Sequence, residues 1–143
     1  MIDKTKKFWT GDQPDDIREY LTAFSRIPTL ETKPVICRKC GGDTVTIRAD
    51  LDESGLQVIC TNCKTKKLLL DSDEIWEDCS PRPVRCPVCK ERNYNTRVGF
   101  LRRENGDVKH VFIGVRCTGC GTLGCLTDWR IDYSPTDEME QNV

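Results

Sequence analysis

The sequence lacks most of the motifs that carry catalysis. His110 is its single histidine, and a lone histidine on a predicted strand is usually structural or solvated. It contains no serine in a nucleophile-elbow motif and no glycine-rich phosphate loop. The paired carboxylates Asp15 and Asp16 fall at a predicted helix start, where they complement the helix dipole and need no acid–base role. We therefore expect a protein that is not an enzyme.

Long apolar runs are also lacking. No stretch approaches the roughly 20 apolar residues of a membrane span. The chain opens with Met1-Ile2-Asp3-Lys4, which is charged from the start and has no apolar signal segment. These features predict a cytoplasmic protein with no membrane contact, in a compartment where thiols stay reduced.

Cysteine, by contrast, is abundant. Eight of the ten cysteines form four CxxC pairs, separated by 19, 22 and 27 residues. Two cysteines three apart on a tight turn can point both sulfurs at one ion, and a second pair completes the tetrahedral shell that zinc prefers. Repetition of one spacing in a reduced chain favours metal over the alternative, a disulfide framework. The predicted ligands of two zinc ions are Cys37, Cys40, Cys60 and Cys63 for the first, and Cys86, Cys89, Cys117 and Cys120 for the second.

Two cysteines stand outside the pairs. Cys125 belongs to a long strand whose odd positions, 123–133, form one apolar face, so we expect a buried small hydrophobe and not a ninth ligand. Cys79 lies between an acidic run and Pro81, where it is either a core residue or a replacement ligand. An open metal site at Cys79 is the only enzymatic alternative that the sequence offers.

Each half of the cysteine-containing region predicts a β-hairpin between two CxxC loops. In the first hairpin, apolar and polar residues alternate over 45–49, a turn follows at 52–55, and a second strand returns over 56–59. The second runs over 96–102 and 108–115 around an Asn105-Gly106 turn. Each metal site is expected to close its own hairpin, so that loss of one unit spares the other.

A two-residue turn in the second hairpin would place Arg102 directly opposite Lys109. This like-charge pair costs stability unless an anion or a carboxylate lies nearby.

An amphipathic helix is predicted ahead of the cysteines. Pro14 suits its first turn, Asp12 or Gln13 can cap it, and it should end near Ser25. Its apolar stripe consists of Ile17, Tyr20, Leu21 and Phe24. We expect this stripe to pack onto a hairpin; the alternative is that it fills a groove of a partner.

Four segments follow from this reading: an N-terminal helical segment (1–36), a first metal unit with an acidic connector (37–79), a second metal unit with a long C-terminal strand (80–133) and a flexible acidic tail (134–143). Neither metal unit can bury much apolar surface alone, so metal binding must supply much of the folding free energy.

The CxxC loops resemble the knuckles of zinc ribbons. The resemblance rests on Cys86-Pro87-Val88-Cys89 and Cys117-Thr118-Gly119-Cys120-Gly121, and the loops that begin at Cys37 and Cys60 fit the same plan. It covers 37–133 and implies a small, metal-stabilised, mainly β fold of two tandem zinc ribbons (knuckle–hairpin–knuckle) with one N-terminal α-helix. Zinc ribbons serve transcription factors, ribosomal proteins, enzymes and interaction modules, so the resemblance does not select a function. Rubredoxins build similar knuckles around iron, which is the alternative metal.

Charge is segregated along the chain. Residues 80–116 carry a net charge of +6, 71–79 hold five acidic and no basic residues, and 117–143 carry −4. The basic segment invites an acidic partner unless the acidic segment or the C-terminal strand neutralises it within the molecule. Two zinc ions and eight thiolates would bring the formal net charge of −1 to about −5, which opposes binding to a polyanion.

Two functions fit these features. The first is a protein-binding module or regulator, including an immunity or antitoxin protein that masks a basic, nuclease-like partner with its acidic segment. The candidate acidic contacts are Asp73, Glu74, Glu77 and Asp78. The alternative is nucleic-acid binding by the second hairpin, with phosphate contacts from basic residues and stacking on Phe112 or Trp129. Those basic residues are Arg97, Arg102, Arg103, Lys109 and Arg116.

Overall fold

The computed structural model describes residues 2–143, which form one antiparallel sheet of eight strands and an N-terminal helix. The strands are β1 Glu31–Pro34, β2 Val45–Asp50, β3 Gly55–Cys60, β4 Lys66–Leu68, β5 Arg82–Pro83, β6 Tyr94–Arg102, β7 Val108–Cys117 and β8 Leu123–Arg130. The helices are α1 Asp16–Ser25 and α2 Asp137–Glu140. The predicted mainly β fold with an N-terminal helix is confirmed. None of the helices in this part of the chain is long and apolar enough to cross a membrane.

The first hairpin matches the prediction closely. Strands β2 and β3 pair without a register shift from Val45↔Cys60 to Asp50↔Gly55. Side chains along β2 alternate between buried and more exposed positions, which is the period-two pattern read from the sequence. The hairpin therefore brings the second CxxC loop back beside the first.

The connection in the second hairpin is longer than predicted. Leu101 pairs with His110 but Arg102 pairs with Val108, so Lys109 is the extra residue of a bulge. The connecting segment 103–107 is closed by a hydrogen bond from the amide of Arg103 to the carbonyl of Asp107 at 2.7 Å. The predicted Arg102–Lys109 opposition is therefore wrong.

A bulge at Leu126 divides strand β8. Cys125 pairs with Gly114 while Thr127 pairs with Ile113, so one residue of β8 is unopposed. Because one extra residue reverses the alternation of side chains, Cys125 faces α1 whereas Trp129 packs into the core on the other side of the sheet. The prediction of one apolar face along 123–133 is wrong for this reason.

Helix α1 ends at Ser25, as predicted, but its start is capped differently. The N-cap residue is Asp15, and its side chain makes no capping hydrogen bond. Instead, Asp16 Oδ2 in the first turn accepts hydrogen bonds from the amides of Asp12 and Gln13, at 2.8 and 3.1 Å. The acidic side chain thus fixes the approach of the preceding loop to the positive end of the helix.

Helix α1 packs onto β7 where the strand carries a glycine. Ile17 and Leu21 are fully buried, and a Cβ added at Gly114 would lie 2.5 Å from Ile17 Cγ2. The absence of a side chain at Gly114 is therefore what lets the helix approach. The predicted packing of the helix on a hairpin is confirmed, although Phe24 at the end of its apolar stripe is 47% exposed.

The two hairpins share one core. Strands β2 and β6 are neighbours in the sheet through Val45 and Tyr94. Strand β1, which precedes the first cysteine, pairs with β6, and β5, which follows the first unit, pairs with β2. The main core takes side chains from both hairpins, including Ile47, Leu56, Val58, Val98, Val111 and Ile113. Each unit therefore depends on strands from outside its own segment.

The C-terminal segment 134–143 packs against the main core. Met139 and Val143 are buried in the main core. The amide of Leu70 donates to the carbonyl of Asn142, and the side-chain amide of Asn142 donates to the carbonyl of Leu70, both at 2.9 Å. The sequence analysis, which predicted a flexible tail, missed this packing because the two buried apolar residues are separated by polar ones and leave no local periodic signal.

Candidate metal centres

The eight paired cysteines form two clusters in the folded chain. Within each cluster, all four sulfur atoms lie within 4.8 Å of one another. The clusters are Cys37, Cys40, Cys60 and Cys63 (centre 1) and Cys86, Cys89, Cys117 and Cys120 (centre 2). The structure thus groups the cysteines as their spacing predicted, with the first pair joined to the second and the third to the fourth.

The distances between sulfur atoms fit tetrahedral coordination. In centre 1, the contacts Cys37–Cys63 and Cys40–Cys60 measure 3.5 and 3.4 Å. In centre 2, Cys86–Cys120 and Cys89–Cys117 measure 3.6 and 3.5 Å. A zinc–sulfur bond of about 2.3 Å gives a tetrahedron with edges of about 3.8 Å. Both clusters could therefore hold a metal ion with little movement.

One backbone pattern builds all four CxxC loops. In each, the amide of the residue four positions after the first cysteine donates to the carbonyl of that cysteine. The bonds are Gly41→Cys37 at 2.8 Å, Lys64→Cys60 at 2.9 Å, Lys90→Cys86 at 3.0 Å and Gly121→Cys117 at 2.8 Å. All four donor residues have positive φ, between 64° and 77°. The tight turn is what allows both sulfurs to face one ion.

Two threonines recur in the second loop of each unit, in the pattern Cys-Thr-x-Cys-x-Thr. The first threonine of the pattern contacts the backbone segment that follows the first CxxC loop of the same unit. In the first unit, the amide and the hydroxyl of Thr61 both lie 3.1 Å from the carbonyl oxygen of Thr44. Thr118 makes the same two contacts with Asn93, at 3.1 and 3.0 Å. The repeat is visible in the sequence, but the sequence reasoning above missed it.

The second threonine of the pattern contacts a candidate ligand. Thr65 Oγ1 lies 3.1 Å from Cys63 Sγ, and Thr122 Oγ1 lies 3.0 Å from Cys120 Sγ. Hydrogen bonds from the hydroxyl and then the amide of Thr65 lower the pKa of Cys63 to about 6. A thiolate is the form that binds metal, so the Thr65 hydroxyl favours coordination by Cys63, and the hydroxyls of Thr65 and Thr122 are both placed to orient a ligand sulfur.

Cys79 and Cys125 lie outside both clusters. Burial, reinforced by Asp128, raises the pKa of the Cys125 thiol to about 12, and burial with nearby Asp50 raises the pKa of Cys79. Both environments disfavour the thiolate. That neither residue ligates metal stays a prediction.

His110 has a partner outside the cysteine clusters. Its Nε2 lies 2.7 Å from Asp128 Oδ1, and its ring packs against that of Phe112 with centroids 4.9 Å apart. Its role is compatible with holding β8 against β7.

Two arginines of the second hairpin have carboxylate partners within the molecule. Arg97 is buried, and its guanidinium contacts Asp15 Oδ1 at 3.2 Å. Arg102 contacts Glu31 and Glu140, each at 2.7 Å. These partners come from the N-terminal and C-terminal segments, and not from the acidic connector or the C-terminal strand considered above.

The other predicted basic contacts are also mostly occupied. Arg103 donates to the carbonyl of Ile131 at 2.7 Å, and Arg116 donates to that of Gly11 at 2.7 Å. Only Lys109 among these basic residues is exposed. Phe112 is buried and Trp129 is half-buried, so neither offers an open face for stacking.

The acidic connector, by contrast, presents its charge outward. The connector contains two short 3-10 turns, Ser72–Glu74 and Trp76–Asp78. The buried hydroxyl of Ser72 accepts a hydrogen bond from the amide of Leu56 at 2.9 Å. The exposed acidic residues, which we call the acidic surface, are Asp73, Glu74, Glu77 and Asp78. Among residues 2–143, no Lys or Arg side chain forms an ion pair with any of the four.

The acidic surface continues into a groove of about 480 Å³ beside the C-terminal segment. Asp71, Asp73, Glu74 and Glu138 line it together with Tyr133. The hydroxyl of Tyr133 donates to Asp71 at 2.9 Å and fixes one wall. The docked C-terminal segment therefore enlarges the negatively charged area.

No protein-family model, curated protein or solved structure matches this chain. Two four-cysteine clusters at the ends of β-hairpins, in a small mainly β chain, are consistent with zinc ribbons.

Proposed function

We propose that both clusters bind zinc, that both ions are structural and that the chain is a pair of zinc ribbons sharing one core. The support is the donor set: four sulfurs per site complete the tetrahedral shell and leave no position for a reacting water. The threonine hydroxyls at Cys63 and Cys120 are neutral outer-sphere donors of the kind that hold ligands in place.

We propose further that the protein is a non-enzymatic binding module whose acidic surface docks a basic protein partner. The observation that carries this proposal is the contrast between the two charged regions. The arginines of the second hairpin are engaged inside the molecule, while the four exposed acidic residues have no basic partner within the described residues 2–143. Unpaired charge on a rigid surface steers association with an oppositely charged partner.

The particular role we propose is a stoichiometric inhibitor, such as an immunity or antitoxin protein that covers the basic active site of a nuclease. An acidic surface repels nucleic acid yet attracts an enzyme that binds nucleic acid. The metal centres hold the surface rigid, because β3 anchors the acidic connector through the Leu56–Ser72 hydrogen bond. Rigidity reduces the entropy lost on binding.

Capture from the native cell tests the partner proposal. Zinc-loaded protein is compared with the variant Asp73→Lys, Glu74→Lys, Glu77→Lys, Asp78→Lys. The matched control is Asp52→Lys with Glu53→Lys, since both residues are exposed in the turn between β2 and β3. A basic protein should be retained by the wild type and the control and lost by the fourfold variant. Retention of the same partner by all three proteins would reject the acidic surface as its binding site.

A direct nucleic-acid assay tests the alternative function. Fluorescence anisotropy with random single-stranded and duplex DNA and RNA should show no sub-micromolar binding at physiological ionic strength. Tight, salt-sensitive binding that Lys109→Glu weakens would replace the protein-partner proposal with the nucleic-acid one.

A further inference from the structure

A pocket of about 310 Å³ opens beside centre 1. Its walls combine apolar and basic side chains but contain no acidic one. Three valines (Val35, Val45 and Val58) supply apolar surface, and four basic residues (Arg38, Lys39, Lys66 and Lys67) supply positive charge. This pocket lies apart from the acidic groove, which has different lining residues.

The amine of Lys67 is buried in this wall without an acceptor. Lys67 lies on the edge strand β4, and its Nζ forms no hydrogen bond with any atom of residues 2–143. A buried ammonium without a partner is unfavourable unless an anion or another acceptor compensates it. The surrounding charges compensate it only in part, because Arg38 and Lys33 act on Lys67 with the same sign while the sulfur of Cys37 acts on it with the opposite sign.

Arg38 is already engaged. Its guanidinium donates to the carbonyl of Gln141 and, at 3.5 Å, to that of Val143. Lys39 and Lys66 also line the pocket but are exposed, so the buried basic group of this wall that lacks an acceptor among residues 2–143 is the amine of Lys67. One compact donor in apolar surroundings suits a small singly charged anion with an apolar body.

We propose that this pocket binds a carboxylate carried on a short, branched apolar stem. The carboxylate accepts from Lys67 Nζ and the stem contacts the valine walls. By the share of liquid volume that one water occupies, the pocket has room for about ten water-sized groups, enough for such a ligand. The ligand is either the C-terminal residue of a peptide or a free branched-chain acid, since both present the same chemistry.

The test uses NMR titration of zinc-loaded, ¹⁵N-labelled protein with 3-methylbutanoate and with its neutral isostere 3-methylbutanamide. The acid should cause saturable shifts of the amide signals of Val45, Val58 and Lys67, and the amide compound should not. Equal shifts with both compounds would overturn the proposal. Because this comparison uses the unchanged protein, it does not depend on any variant folding.

Lys67→Met should weaken binding of the acid at least tenfold and leave two metal ions bound. The matched control is Lys90→Met, because Lys90 is exposed in a CxxC loop of centre 2 and should leave binding unchanged. Unaltered binding by Lys67→Met would contradict the proposal. So would loss of an ion from that variant, since Lys67 would then serve centre 1 itself.

Two hexapeptides ending in valine, one with a free C-terminal carboxylate and one amidated, show whether the ligand is a peptide C-terminus or a free acid. Tighter binding of the free peptide than of 3-methylbutanoate assigns the pocket to peptide C-termini, and equal affinity assigns it to small acids. The test of this pocket is independent of the proposal for the acidic surface. The variant in which all four residues of the acidic surface are replaced by lysine should bind 3-methylbutanoate normally.

Discussion

Replacing Gly41 and Gly121 by alanine makes a matched pair of substitutions. Both glycines occupy the same position of a CxxC loop, and both have φ of +77°. An alanine in this left-handed conformation costs about 1–2 kcal/mol. That cost is common to both variants, so any difference between them reports on the surroundings of the new methyl group.

The surroundings differ sharply. A Cβ added at Gly41 meets no atom within 4 Å, whereas one at Gly121 would lie 2.8 Å from the carbonyl oxygen of Gly11. The amide of Gly11 also donates to the carbonyl of Gly121 at 2.9 Å, which docks the N-terminal segment on centre 2. Moving Gly11 away weakens that hydrogen bond, at a further cost of about 1 kcal/mol, and strains the neighbouring backbone.

We therefore expect Gly41→Ala to lower the free energy of unfolding by about 1–2 kcal/mol and Gly121→Ala by about 3 kcal/mol. Urea unfolding at a fixed, buffered zinc concentration, followed by tryptophan fluorescence, measures both values. Metal analysis must show that both variants retain two ions. Equal losses would refute the role of the Gly11 contact, and no loss at Gly41 would refute the requirement for the left-handed conformation.

The other predictions concern metal, packing and the C-terminal segment. Metal analysis should find two zinc ions per chain; a red, iron-loaded product or one ion would contradict this. Cys60→Ser should remove one ion and, because the hairpins share a core, also increase hydrogen exchange in the second hairpin. Cys125→Ala should retain both ions and cost about 1 kcal/mol in urea unfolding. Arg102→Ala should release 134–143 to proteolysis while leaving both ions bound. Hydrogen bonds from Ser134 and then Thr136 lower the pKa of Asp107 below its usual 3.8. The ionised Asp107 therefore stabilises the fold above pH 3.8, and this stabilisation is lost as the pH falls through the lower pKa of the folded state. Asp107→Asn should cause the same loss at neutral pH, which NMR of residues 134–143 would show.

Local spacing explains what could be predicted from the sequence. The CxxC pairs and the alternation of apolar residues in β2 act over a few residues, so the clusters and the first hairpin follow from them. The bulge at Leu126 arises in the pairing of β8 with β7, which lies outside the strand's own sequence, so no local pattern in β8 reports it.

Long-range contacts explain the remaining errors. The partners of Arg102 are Glu31 and Glu140, which lie 71 and 38 residues away in the chain. Net charge along the sequence therefore suggested an exposed basic hairpin, although the folded molecule neutralises much of it. The threonines of the Cys-Thr-x-Cys-x-Thr repeat were predictable in principle, since their spacing is identical in both units.

The docking of the C-terminal segment has a consequence for the order of folding during synthesis. Leu70 lies in the first unit, but the residues that cover it, Met139 to Val143, leave the ribosome about 70 residues later. At about 5–20 residues per second, the first hairpin waits roughly 4–14 s with part of its core uncovered. Early zinc capture by centre 1 would hold this incomplete hairpin together during the delay. Metal supply would then determine how much of the newly made chain reaches the native state before it aggregates.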